Sequence, residues 1–183
     1  IILIGLAFGP GCRDHGPGDK PPAKESGTPE QPLNVVCTIG MITDVARNIG
    51  GEAVAVTGLM GEHVDPHTYK ATPSDHRLLR NADLVFYNGL HLEGRMVEVF
   101  ESLAAKQTVV AVTDAIDKNS LRQPSEFAGH YDPHVWFDVA LWMKAAERIQ
   151  DALIQQRPAQ QELFSRNAVA YLAQLAELND YCR

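Results

Sequence analysis

The chain has no run of basic residues. Its 183 residues include 16 Lys or Arg against 23 Asp or Glu, a formal net charge of −7 at pH 7. Nucleic-acid binding needs phosphate-neutralising Lys and Arg gathered on one face, so that partner class is excluded. The acidity alone reads as solvated surface. Cysteine is scarce too. Cys12, Cys37 and Cys182 form no CxxC or CxxH pattern, which argues against a structural zinc knuckle. Cys37 lies in an apolar run and reads as a small buried hydrophobe, while pairing among the three stays open. HExxH, GxSxG and a glycine-rich phosphate loop are all missing, which weakens the common hydrolase and nucleotide-binding readings.

What is present begins with an apolar run over residues 1–8, IILIGLAF. It is too short to cross a bilayer as a helix but matches a signal-peptide core. Gly11-Cys12 follows, as in the lipobox of bacterial lipoproteins, although Gly9 stands where Leu is usual. Residues 1–12 are therefore read as the remnant of a signal peptide, with Cys12 the candidate lipidation residue. The alternative is an ordinary signal peptide with an incidental cysteine. Residues 13–32 are rich in Pro, Gly, Lys and Glu and cannot bury enough apolar surface to fold, so they read as a flexible tether.

From residue 33 the pattern changes, and 45% hydrophobic content is enough for a sizeable core. Strands are expected at residues 34–39, 53–57, 83–87 and 108–112. Helices are expected at residues 41–49, from Pro73 to Ala82, and at 95–105. Thr72 caps the second of these, with Pro73 at the first helical position and Asp75 completing a capping box. Leu78 and Leu79 are its expected core residues. Such alternation predicts an α/β fold, a parallel sheet covered by helices on both faces. Residues 114–130 read as loop. Two more helices follow, broken at Arg157-Pro158. The first carries Val139, Trp142, Met143, Ala146, Ile149 and Leu153 on one face. Phe164, Ala168, Tyr171, Leu172, Leu175, Leu178 and Cys182 stripe the second. These stripes read as packing surfaces, and the last one predicts a partner domain absent from this chain.

One tripeptide occurs twice. Asp65-Pro66-His67 lies in GEHVDPHTYKATPSD and Asp132-Pro133-His134 in GHYDPHVWFD, each with an aromatic two residues on, Tyr69 and Trp136. Proline fixes its own φ and restricts the residue before it, so each histidine leaves a stiff loop. A stiffly held imidazole suits metal binding when its second ring nitrogen has an acceptor, and Asp65 and Asp132 are the candidates. The first copy follows the second strand, on the sheet edge where ligands bind in such folds. A lone histidine in a loop is usually surface. Two matched copies favour one shared site.

The stretches DPHTYKATPSD (65–75), NGLHLEGRM (88–96) and DPHVWFD (132–138) together resemble the amino-terminal half of the metal-specific solute-binding proteins of bacterial ABC importers, of the cluster A-I manganese/zinc type. The similarity runs from about Val35 onward. It implies two α/β lobes joined by a long helix, with one metal ion between them. On that likeness residues 33–157 are the amino-terminal metal-binding lobe, and residues 158–183 begin the inter-lobe helix. His67 and His134 are the first-lobe ligands, and the remaining ligands lie in a second lobe outside this chain. The resemblance also implies extracytoplasmic capture of manganese or zinc, ahead of iron(II), and delivery to a membrane permease, by a monomeric protein. Residues 114–130 hold no His- and acid-rich loop of the kind some zinc-type members carry. His91 stands where many members have glycine; both features favour the manganese branch. His63, His76, His91 and His130 are assigned surface or supporting places only.

Neutral imidazole suits zinc, copper, iron and nickel, whereas carboxylate oxygen suits manganese. Two histidines with two oxygens would accept zinc or manganese, and protonation in acid should weaken binding. Two other readings stand beside this one. A metal-dependent hydrolase would use the same histidines, with Glu62, Asp65 or Glu93 as conceivable bases. A surface adhesin with incidental metal would fit the tether and the lipid anchor equally well.

Overall fold

The computed structural model describes residues 31–127 and 129–183. The signal-peptide remnant, Cys12 and nearly all of the tether lie outside the described residues.

Four strands form one sheet: β1 (Leu33–Cys37), β2 (Val54–Gly58), β3 (Leu84–Tyr87) and β4 (Thr108–Ala111). Their order is β2-β1-β3-β4 and every pairing is parallel. The register aligns Val35 with Val56 on one side and with Leu84 on the other. Central strands of such a sheet are covered on both faces and therefore carry unbroken apolar runs. Accordingly Val35, Val36 and Cys37 of β1 and Leu84, Val85 and Phe86 of β3 are all buried, whereas β2 is partly exposed along its length. Burial pushes the Cys37 thiol up to about 12, against weaker lowering by Thr43 and Arg47. It is an inert core residue, as its sequence context indicated.

Among the described residues there are five α-helices: α1 (Gly40–Gly50), α2 (Pro73–Arg80), α3 (Val97–Ala104), α4 (Val139–Gln156) and α5 (Gln161–Tyr181). The path from β1 to β2 runs one way across the sheet, and those from β2 to β3 and β3 to β4 run the other. Right-handed crossovers then place α1 on one face and α2 with α3 on the opposite face. The packing agrees: α1, α4 and α5 lie against one another, while residues of α2 and α3 line a shared groove. The direction reverses between β1 and β3, which makes the carboxyl ends of those strands the switch point where ligands settle in such folds.

Local rules account for α2. Thr72 Oγ1 accepts from the Asp75 backbone N–H, Asp75 accepts from the Thr72 N–H, and Pro73 stands at the first position. Its inward face is narrower than the sequence suggests. Leu79 is fully buried but Leu78 is 40% exposed, because successive helical residues point about 100° apart and a short helix can bury only one of them. Residues 114–130 are less irregular than expected, with short 3-10 turns at Lys118–Ser120 and Ser125–Phe127. Helix α4 buries Trp142, Ala146, Ile149 and Leu153 as read from the pattern, and adds Ala145 and Ala152. Along α5, Phe164 and Ala168 are buried, Asn167 Nδ2 donates to Ile49 O at 3.0 Å, and Tyr171 donates to Asp44 at 2.8 Å. Farther on, Leu178 and Cys182 are exposed.

The two leucines of α2 separate cleanly by experiment. Leu79→Ala should cost about 2–5 kcal/mol in denaturant unfolding. Leu78→Ala should stay within about 0.5 kcal/mol. Equal costs would contradict the observed helix orientation.

Candidate functional site

The two Asp-Pro-His loops leave opposite edges of the sheet. The first lies between β2 and α2, the second between β4 and α4. Strands β2 and β4 are three strand spacings apart, about 14 Å. Both loops nevertheless turn inward over the carboxyl ends of β1 and β3. His67 Nε2 comes to 3.2 Å from His134 Nε2, with the ring centroids 5.2 Å apart and the planes tilted by 55°. The structure thus brings together the two histidines that the sequence singled out, at 67 residues' separation.

The two copies do different work with the same residues. In the second, Asp132 Oδ1 accepts both the backbone N–H of His134 at 3.0 Å and its ring Nδ1 at 2.7 Å. Burial opposes ionisation of Asp132, but those bonds from His134 and the nearby Arg122 guanidinium outweigh it and hold the carboxyl below its ordinary value. An ionised carboxylate only accepts, so the proton of the pair sits on Nδ1, and Nε2 of a neutral ring presents its lone pair. Trp136 packs edge-on against the same ring, centroids 5.3 Å apart. In the first copy Asp65 accepts the His67 backbone N–H at 2.9 Å and the Thr68 hydroxyl at 3.0 Å. These bonds hold the Asp65 carboxyl below its ordinary value. Asp65 is therefore an acceptor for the loop backbone and the Thr68 hydroxyl, whereas Asp132 accepts from the histidine ring as well as from the backbone.

Tyr69 has a role that the sequence did not disclose. Its hydroxyl donates to Asp75 Oδ2 at 2.7 Å, the same oxygen that receives the Thr72 N–H at 2.7 Å. The loop bearing His67 is thereby tied to the amino terminus of α2. Burial and the adjacent carboxylate push the Tyr69 phenol up to about 12, so it remains a donor. Its place two residues after the histidine and six before Asp75 was visible; the contact was not.

The turn NGLHLE folds tightly at the end of β3. Gly89, Leu90 and His91 all have positive φ, of 88°, 52° and 64°. A Cβ on Gly89 would come within 2.8 Å of Thr113 Oγ1, so this position demands glycine on two counts. The turn returns Glu93 beneath the strands. That residue is 2% exposed and accepts from Thr38 Oγ1 at 2.6 Å, Asn88 N at 2.8 Å and Gly89 N at 3.3 Å. Burial raises its carboxyl above the ordinary value, against those hydrogen bonds. His91 and His130 stack edge to face with ring centroids 4.8 Å apart. Among the described residues, no group of three or more His, Cys, Asp or Glu is arranged to enclose an ion. Asp132 and His134 also line a cleft of about 480 Å³ that reaches Asn179 near the end of α5.

With this geometry in place, relatives can be compared. The family description "zinc-uptake complex component A periplasmic" matches residues 35–183. The chain belongs to that family. It is 42% identical over 154 residues to the manganese-binding lipoprotein MntA of Bacillus subtilis, covering 84% of this chain and 50% of that protein. It is 43% identical over 161 residues to the zinc-binding protein TroA of Treponema pallidum, covering 88% of this chain and 51% of that one. The solved structure of the periplasmic TroA superposes with a TM-score of 0.80 at 44% identity, covering 84% of this chain and 55% of that structure. The chain thus spans about half the length of the curated relatives it matches. The four-stranded parallel α/β architecture read from the sequence is the one this family carries in its matched half.

The Tyr69–Asp75 tie has a pH signature. Burial of Asp75 favours its neutral form, but hydrogen bonds from Thr72 and Tyr69 outweigh it and set its folded value below the ordinary one. Its contribution to stability is therefore complete above the ordinary carboxylate range and is lost as pH falls through the lowered value. Asp75→Asn should be less stable than wild type near neutrality, and the gap should narrow as pH falls below the ordinary carboxylate range. Chemical denaturation at a series of pH values checks this; a gap independent of pH would contradict it.

Proposed function

We propose that the full protein is the extracytoplasmic receptor of an ABC importer, capturing a divalent manganese or zinc ion and presenting it to a membrane permease. In this reading His67 and His134 are the two nitrogen ligands supplied by residues 33–157, the amino-terminal lobe. The observation that carries it is the 3.2 Å separation of the two Nε2 atoms. Two nitrogens about 2.1 Å from one zinc ion at a tetrahedral angle lie about 3.4 Å apart. The observed separation is close to that value, which supports one shared ion.

The names of the relatives support the same reading: MntA is described as manganese-binding and TroA as zinc-binding. The remaining coordination positions are assigned to oxygen donors of the second lobe, with α5 as the start of the helix between lobes. An ion held from both sides would then draw the lobes together and give the permease a closed form to recognise. Affinity generally rises from manganese toward zinc, so any preference for manganese has to come from geometry, availability or release. Cys12 is proposed as the lipid anchor, with residues 13–32 as the tether that keeps the receptor at the membrane. A monomer suffices for this task.

The receptor reading is preferred to a hydrolase because a conceivable base is already committed. Both oxygens of Glu93 accept from Thr38, Asn88 and Gly89, and the residue is buried, which supports a structural place for it. The adhesin reading has no geometric support of its own.

Elemental mass spectrometry of the full-length mature protein, purified without added metal, tests the proposal. Near-stoichiometric manganese or zinc is expected in wild type and little in the His67→Ala/His134→Ala double variant. Equal metal in both would refute the ligand assignment. Deletion of the gene should impair metal uptake while leaving surface attachment intact, and the reverse pattern would favour an adhesin.

A further inference from the structure

The ring of His134 is fixed by Asp132, but the peptide from which that ring hangs is fixed by something else. Asn88 Nδ2 donates to the carbonyl oxygen of Pro133 at 3.0 Å, across 45 residues, and to Gly89 O at 3.1 Å. The Pro133 carbonyl and the His134 N–H belong to one peptide plane. Asn88 holds the first end, and Asp132 Oδ1 accepts from the second at 3.0 Å. A planar unit held at both ends cannot rotate, and the direction of the His134 Cα–Cβ bond is set with it.

Asn88 is itself immobilised. Its own N–H goes to Glu93, its own carbonyl accepts from Thr113 Oγ1 at 2.6 Å, and the residue is fully buried. Glu93 in turn ties Thr38 after β1 to Asn88 and Gly89 after β3, at the switch point of the sheet. The chain of contacts therefore runs from the strand ends through Glu93 and Asn88 to Pro133 and His134. Asn88 Oδ1 is buried without a hydrogen-bond partner among the described residues. An orphaned buried acceptor weakens a fold, and an apolar residue here would not incur that cost. What the amide supplies in exchange is its two N–H donors, one of which reaches the loop of the site.

We propose that Asn88, braced by Glu93, is a positioning residue for His134, setting the peptide from which the metal-facing imidazole projects. The proposal rests on the reading of His134 as a metal ligand. Groups that orient a ligand in this way typically change metal affinity by about 10–100-fold when removed.

The test uses the full-length protein with Asn88→Ala and Asn88→Ser, the serine hydroxyl being too short to reach Pro133. Three quantities are read: the melting of the metal-free form, the backbone amide order parameter of His134 in the metal-free form, and affinity for Mn²⁺ and Zn²⁺ by competition with a chelating dye. The metal-free wild type should show a rigid His134 amide. In a folded variant that amide should become mobile, and both metals should bind about 10–100-fold more weakly. An amide as rigid as in wild type, whatever the affinity, would overturn the proposal, as would affinity within about twofold of wild type. Failure of both variants to fold would also overturn it, by making Asn88 a general structural residue. If wild type binds neither metal yet the variant shows the mobile amide, the positioning role stands and the receptor reading falls.

Discussion

Two loops that leave the outer strands of a parallel sheet must deliver two imidazole edges to within 3.2 Å of each other. Most of the remaining architecture can be understood from that constraint. The strand order β2-β1-β3-β4 places the loops on opposite flanks. Between them the loops have to span about three strand spacings, roughly 14 Å, without losing their aim. Prolines stiffen the tripeptides, and the anchors differ on the two sides. On one side Tyr69 ties the loop to the amino terminus of α2. On the other, Asp132, Trp136 and Asn88 hold the ring and its peptide. The floor beneath is the Glu93 carboxylate, which joins the ends of β1 and β3 where the chain reverses its direction across the sheet.

The arrangement is therefore asymmetric. His134 is braced at its ring and at its peptide, whereas the bonds from Asp65 reach only the backbone of His67 and the hydroxyl of Thr68. One member of the pair is thus held at ring and peptide, and the other through the backbone of its loop. The chain belongs to the same family as these relatives and spans about half the length of MntA and TroA.

Much of this was legible in the residues because the signals are local. The apolar runs of β1 and β3, the capping box from Thr72 to Asp75 and the break at Arg157-Pro158 act within a few residues, and each appears where the sequence placed it. The repeated tripeptide was sufficient to pair His67 with His134. What stayed hidden depends on distant partners. Leu78 and Leu79 are equally apolar, and only the docking of α2 decides which one faces inward. Asp65 and Asp132 occupy identical places in their motifs. Accepting from the backbone two residues on is a local turn contact and recurs in both; accepting from the ring depends on a side-chain rotation that packing selects. Glu93 looked like a conceivable base in the sequence, and its burial beneath three donors assigns it instead to the scaffold. The tie from Asn88 to Pro133 spans 45 residues and had no sequence signal at all.

The central claim is that both imidazoles reach one ion through Nε2. X-ray absorption spectroscopy of the full-length protein loaded with one equivalent of zinc addresses it directly, because imidazole rings give a recognisable multiple-scattering pattern. Two imidazole nitrogens from this lobe are expected at about 2.0–2.1 Å, with no sulfur in the coordination sphere. A spectrum requiring no more than one imidazole, or a sulfur at about 2.3 Å, would contradict it.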